Sequence, residues 1–254
     1  MKKLLCYCSA IILCMGFSMT TFAQTVAAVK PNTKFVLTEA ELQDIGGFGA
    51  DGKVAARSFD NRYEGIKGSP LWYDLGFERA LVKFRDKVEL VDIDANLDLE
   101  NHQIYLRLDK DGQIFKMKAS KIEYVQFEDG SHPFYSIRNK EMAWAGQSYA
   151  FAQLIHQGKY SLVKATNKVF QKADFTDAYS TGTTFDEYQT KESYWFSFNG
   201  RSYSKIKLGK KGLQKALSKK AKLIGQITKE EKLDLKNEAD VKFLLEKIEE
   251  SLKK

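Results

Sequence analysis

The densest run of ligand-type side chains is Asp92, Asp94, Asn96, Asp98 and Glu100, alternating with Ile93, Ala95, Leu97 and Leu99. Side chains of a strand point to opposite faces with period 2, so this stretch carries one acidic and one apolar face. Successive acidic positions lie about 6.6 Å apart. Two of them could share a Ca²⁺ only if a neighbouring loop supplied further oxygens. The plainer reading is a solvated sheet face whose repulsion is relieved by Lys83, Arg85, Arg107, Lys116 and Lys118 on adjacent strands. Asp109-Lys110-Asp111-Gly112 opens like a calcium loop but lacks the Glu eight residues beyond Gly112, and reads as a turn. Neither feature points to a metal or any other cofactor.

Hydrolysis would need convergent acid, base and nucleophile. His102, His132 and His156 are scattered, and no Gly-x-Ser-x-Gly, His-Glu-x-x-His or phosphate-cradling loop occurs. No catalytic residue is therefore assigned. Trp72, Tyr73, Trp144, Trp195, Phe196, Phe198 and Tyr203 could stack on sugars, although such side chains more often fill cores or pair across strands. The remaining candidate is cationic: Lys210, Lys211, Lys215, Lys219 and Lys222, in a stretch from Lys205 to Lys222 that contains no acid. Repulsion among them is a cost that a purely structural helix avoids by mixing in Glu at i+4. A face of this kind suits an anionic partner, either lipid headgroups or acidic polysaccharide.

The elements that must position these residues are mostly short strands. Ala80, Val82 and Phe84 alternate with Leu81, Lys83 and Arg85, and Ile104, Leu106 and Leu108 alternate with Gln103, Tyr105 and Arg107. Phe115, Met117 and Ala119 continue the pattern, as do Ile122 to Phe127 and Phe134 to Ile137. Turns are expected at Asp109–Gly112 and Glu128–Ser131. Residues 146–170 read as two strands joined at Gly158-Lys159, and 171–192 as polar and irregular. Asn199-Gly200 predicts a type I′ hairpin that would set Phe196 opposite Tyr203. From Gly209 the period becomes helical, with Leu213, Ala216, Leu217, Ala221, Ile224 and Ile227 on one stripe. A second helix follows Asn237, a good N-cap, with Val241, Leu244, Leu245, Ile248 and Leu252 on its stripe. Thr38 and Glu41 have capping-box spacing ahead of a helix that Gly46, Gly47 and Gly49 keep short.

Lys2 and Lys3, the apolar run Leu4 to Phe17, and Ala23 have the form of a secretory signal peptide cleaved before Gln24. All three cysteines, Cys6, Cys8 and Cys14, fall inside it, and none follows the small residue a lipoprotein signal needs. The mature chain would then be cysteine-free, without disulfides or thiolate metal sites, and would have no further transmembrane span. Its basicity is local: Lys205 to Lys254 holds fifteen Lys, no Arg and eight acids. Lysine without arginine suits bidentate base or phosphate recognition poorly, so nucleic acid is not an expected partner.

The mature chain resembles a family of uncharacterised exported proteins of Bacteroidota. The resemblance rests on Gly68-Ser69-Pro70-Leu71, Asp92-Ile93-Asp94-Ala95-Asn96, Gly158-Lys159-Tyr160-Ser161-Leu162, Tyr194 to Leu208 leading into Lys210-Lys211-Gly212-Leu213, and Leu233 to Val241. It implies a Gram-negative envelope protein, periplasmic or secreted, and brings no activity with it. The expected fold is α+β: a mainly antiparallel, rolled or barrel-like sheet followed by a C-terminal helical segment. Residues 1–23 are read as the signal peptide, 24–52 as a flexible lead-in, 53–208 as the β domain and 209–254 as the lysine-rich helical segment. The expected role is non-catalytic, in binding or envelope maintenance. The alternative is an envelope hydrolase acting on glycan or peptide.

Overall fold

A computed structural model describes residues 38, 40–42, 53–54, 65–74, 76–87, 89–109, 112–143, 146–173 and 185–252. The expected signal peptide, residues 1–23 with the three cysteines, and Trp144 lie outside these. Eleven antiparallel strands form one open sheet: β1 (Lys53–Val54), β2 (Glu78–Phe84), β3 (Leu90–Asp98), β4 (Gln103–Arg107), β5 (Ile114–Lys118), β6 (Ile122–Phe127), β7 (Phe134–Arg138), β8 (Tyr149–His156), β9 (Tyr160–Gln171), β10 (Glu187–Phe198) and β11 (Tyr203–Ile206). Helices α1 (Lys210–Ala216), α2 (Ala221–Glu230) and α3 (Glu238–Glu250) follow. The expected antiparallel sheet with a C-terminal helical segment is what forms. No helix among the described residues is long and apolar enough to cross a membrane.

The spatial order β1-β5-β4-β3-β2-β6-β7-β8-β9-β10-β11 explains why the sheet rolls. Strands β5 and β6 are joined by only the 3-10 turn Ala119–Lys121, yet β4, β3 and β2 lie between them. In a flat sheet they would stand about 19 Å apart at about 4.8 Å per strand. A 3-10 turn rises about 2 Å per residue, so it covers less than half of that. The sheet must curl until both ends of the turn meet a ladder. They do: Ala119 N–H donates to His102 O beside β4, and Arg85 N–H donates to Lys121 O beside β2. Inside the curl lie the apolar alternates of the sequence, Ala80, Val82, Phe84, Val91, Ile93, Ile104, Leu106, Phe115, Met117, Val125 and Phe127, all buried. A bulge between Lys83 and Phe84 moves the register, which lets Ile122 and Val125 both face inward.

The central strand departs from the expected solvated acidic face. Asn96 and Asp98 are buried, because residues 70–74 and Gly76 cross over them. Leu99 N–H donates to Pro70 O, and Asn96 Nδ2 donates to Tyr73 O and Gly76 O at 2.9 Å each. Asp98 is spent on the next turn, where it accepts from Glu100 N, Asn101 N and Asn101 Nδ2. Of the basic residues expected to relieve the strand, Arg107 does so, 3.0 Å from Asp94. Arg79, a cross-strand neighbour, holds Asp92 and Asp94, while Arg85 turns away to Ser136 O.

Strands β8 and β9 meet at Gly158-Lys159 as the sequence predicts, and both faces are buried. Residues 187–192, expected to be irregular, belong to β10 and pair with β9 in register from Glu187↔Gln171. On one face Ile155, Tyr160, Leu162 and Phe196 receive Leu213, Leu217, Ile224, Val241, Leu244 and Ile248 from the helices. On the other, Ala150, Ala152, Val163, Ala165 and Trp195 pack with Met142 and Ala143.

The Asn199-Gly200 hairpin forms with a different register. Both residues have positive φ, 63° and 67°, as a type I′ turn requires. The pairs are Ser197↔Tyr203 and Phe196↔Ser204, however, so five residues close the loop instead of two. Phe198 stays in the β9–β10 ladder opposite Tyr160, and Asn199 N–H still donates to Lys159 O. That pairing with β9 holds the chain back past the tight-turn position. A one-residue slip sends Tyr203 to the face opposite Phe196. Gly200→Val forces a β-branched residue to positive φ and is expected to cost about 1–3 kcal/mol, read as a lower urea midpoint at unchanged slope. A midpoint equal to that of the parent would show that the strain is relieved by loop movement.

Candidate functional site

The lysine stretch does not form one continuous helix. The backbone breaks at Leu217 (φ −112°, ψ 50°) into α1, a 3-10 turn at Ser218–Lys220, and α2. A continuous helix would stack Lys211, Lys215 and Lys219 at i+4 with no acid between them, which is unfavourable. The break still leaves Leu213, Leu217 and Ile224 buried against the sheet. Lys210, Lys211, Lys215, Lys219 and Lys222 are all exposed. Among the described residues none of the five makes an ion pair or a side-chain hydrogen bond.

Polar groups under α3 are tied to its two ends. Asn237 caps the helix by accepting from Ala239 N at 2.8 Å. Glu238 Oε1 accepts from Tyr194 OH at 2.6 Å and lies 3.0 Å from Lys164 Nζ. Burial acts to raise this carboxyl, but Tyr194 and Lys164 outweigh it and hold Glu238 below the usual carboxylate range. At the far end, Glu249 Oε1 accepts from Tyr160 N at 2.8 Å and lies 3.3 Å from His156 Nε2. A side chain on Gly158 would collide with this carboxylate. These contacts fasten the helix to β8–β10, and their geometry is structural.

His102 is buried 2% exposed at the β3–β4 turn, in the left-handed region (φ 49°). His132 is exposed and His156 sits under α3, so the three histidines are not brought together. Among the described residues no group of three metal-binding side chains converges. Of the aromatic candidates, Trp72 and Tyr73 pack edge-on against Phe134 and Phe127. Trp195 and Phe196 fill opposite sides of β10. Phe198 is 53% exposed, and Tyr203 lines a cleft.

That cleft, about 410 Å³, opens on the side of β7–β9 away from the helices. Its walls combine Arg85, Arg138 and Arg201 with Tyr135, Tyr149 and Tyr203, and its single carboxylate among the described residues is Glu123. Arg85 is held from two sides: its Nη2 donates to Ser136 O at 2.6 Å, and its guanidinium lies 5.4 Å over the Tyr149 ring. Burial raises the Tyr135 and Tyr203 phenols, in Tyr135 with help from Glu123, so both stay protonated donors at neutral pH. Sequence reasoning did not find Arg85, Arg138, Arg201, Tyr135 or Tyr149 as a site. They come from β7, β8, the end of β2 and the β10–β11 loop, and share no spacing. The one legible signal was their type, since the chain holds 33 Lys and only seven Arg.

No protein-family model, curated protein or solved structure matches this chain.

Proposed function

We propose that the protein is an exported, non-catalytic binding module of a Gram-negative envelope, and that α1, α2 and the 3-10 turn between them present Lys210, Lys211, Lys215, Lys219 and Lys222 to an anionic lipid surface. The observation that carries this reading is that all five ammonium groups are exposed and unneutralised by neighbouring carboxylates among the described residues, while the apolar stripe of the same helices is spent on the sheet. The signal-like N-terminus and the resemblance to exported Bacteroidota proteins support the compartment. No observation favours the hydrolase alternative: glycoside hydrolysis uses two carboxylates, and the cleft lining offers Glu123.

Exposed charges are screened beyond about 8 Å at physiological ionic strength, so such binding falls with salt. Co-sedimentation with anionic vesicles is expected at low salt, is lost at high salt and on neutral vesicles, and is lost when the five lysines are changed to Gln. Binding to acidic polysaccharide but not to vesicles would move the partner to the other carrier of the same charge. Absent binding, or binding that survives both salt and substitution, would overturn the assignment.

A further inference from the structure

We propose that the cleft between β7, β8 and the β10–β11 loop is a second binding site, independent of the lysine face, for a hydroxylated ring bearing a carboxylate, of the uronic-acid type. Three of the chain's seven arginines line the cleft, and among the described residues no lysine does. Elsewhere the chain supplies positive charge mostly as lysine, and Arg79 and Arg107 are committed to Asp92 and Asp94. Arginine differs from lysine in presenting a planar fork of donors that matches a carboxylate in bidentate fashion.

The three guanidinium groups are also in the right state. Arg85 is pre-set by the Ser136 carbonyl and the Tyr149 ring, and one hydrogen bond leaves most of its five donors unspent. Arg138 and Arg201 make no side-chain hydrogen bond or ion pair among the described residues. They stand at the end of β7 and in the β10–β11 loop, and both line the cleft.

The rest of the lining selects among anions. Tyr135 and Tyr203 offer flat faces with a donor at the tip, and Leu154 and Val163 floor the cleft, the mixture that holds the apolar face and polar rim of a ring. Glu123 opposes a compact, multiply charged anion such as phosphate, but accepts hydrogen bonds from hydroxyl groups. A volume of about 410 Å³ falls within the roughly 300–1,000 Å³ of small-molecule sites. The one-residue slip of the β10–β11 hairpin is what turns Tyr203 to this side. The helices occupy the opposite face of β8–β10, so occupation of the cleft does not compete with a surface held by the lysines.

The test is calorimetric titration of the purified protein with glucuronate and galacturonate, with glucose and inorganic phosphate as comparison probes. Uronate should bind, and glucose and phosphate should each bind at least about tenfold more weakly, or 1.4 kcal/mol. Arg138→Gln with Arg201→Gln should weaken uronate by a similar factor. Arg201→Lys should fail to restore it, because an ammonium keeps the charge and loses the fork. Both positions are exposed and unbonded, and unchanged melting of the variants confirms that loss of binding is local. The variant with five lysines changed to Gln should bind uronate like the parent. No uronate binding at millimolar concentration, equal binding of glucose, tighter binding of phosphate, or loss in the lysine variant but not in the arginine variant would each overturn the proposal.

Discussion

Trp195→Ala is expected to destabilise the protein by about 3–5 kcal/mol, the range for removing a large buried aromatic side chain. Trp195 is 1% exposed and packs among Ala150, Ala152, Val163 and Ala165 on neighbouring strands, with Met142 and Ala143 above. The small partners decide the magnitude. Alanines leave room for an indole but cannot extend into the space it vacates, so the cavity stays open and its cost is near the upper part of the range. The lost hydrogen bond from Nε1 to Ser193 Oγ, 2.9 Å long, adds little, because Ser193 is only half-buried and water can replace the indole. Trp195→Phe should recover a large share, and Phe198→Ala, three residues along the same strand and 53% exposed, should cost less than about 1 kcal/mol. Urea titration of the three variants checks the order. A loss below about 1.5 kcal/mol for Trp195→Ala would mean that Met142 and Ala143 collapse into the space.

Local pattern carried much of the architecture. Ala80, Val82 and Phe84, or Ile104 and Leu106, are buried because alternation is a property of the strand itself and needs no knowledge of its partner. The same holds for Asn237, whose carbonyl caps the helix immediately beyond it, and for the Thr38–Glu41 box, whose reciprocal bonds lie within three residues. The departures in the sheet depend on distant chain. Asp98 looks like a solvated acid until residues 70–72 cross it, and Tyr203 changes face because β9 retains Phe198.

The roll itself shows where the limit falls. The alternation of Phe115, Met117 and Ala119 reads as one strand, whereas Ala119 opens the 3-10 turn that joins β5 to β6. That three strands separate β5 from β6 was not legible, because strand order is set by which edges pair. The arginine cleft is a consequence of that order. Arg85 and Arg201 stand 116 residues apart in sequence, and no periodicity links them; the ladder β2-β6-β7-β8-β9-β10-β11 does.

Acidification through the histidine range should destabilise the protein, and His102→Leu should remove that response. The ring is enclosed by bonds that specify one tautomer. Nδ1 accepts from Phe151 N–H at 3.2 Å, so the proton resides on Nε2, which donates to Asn167 Oδ1 at 2.8 Å. A second proton would set Nδ1–H against the Phe151 N–H. Burial accordingly lowers the His102 pKa below 6.5, although the Asn167 bond and the nearby Asp98 charge oppose the shift. The sign follows from proton uptake. Below about pH 6.5 the unfolded chain binds a proton at this position that the folded chain refuses, so the stabilisation is complete above that pH and declines as pH falls toward the lowered value. The slope is at most about 1.4 kcal/mol per pH unit. Glu238 and Asp129, both held below their usual range, act in the same direction but only below about pH 4.5, which separates the two windows. His102→Leu keeps the volume but leaves the Phe151 N–H and the Asn167 carbonyl buried without their partner, each worth about 1–3 kcal/mol. At pH 8 the variant should therefore lie about 2–5 kcal/mol below the parent by urea titration, and between pH 7 and pH 5 the gap should narrow as the parent loses stability that the variant never had. A parallel decline of both proteins across that window would assign the acid response to other groups and leave His102 as a packing residue.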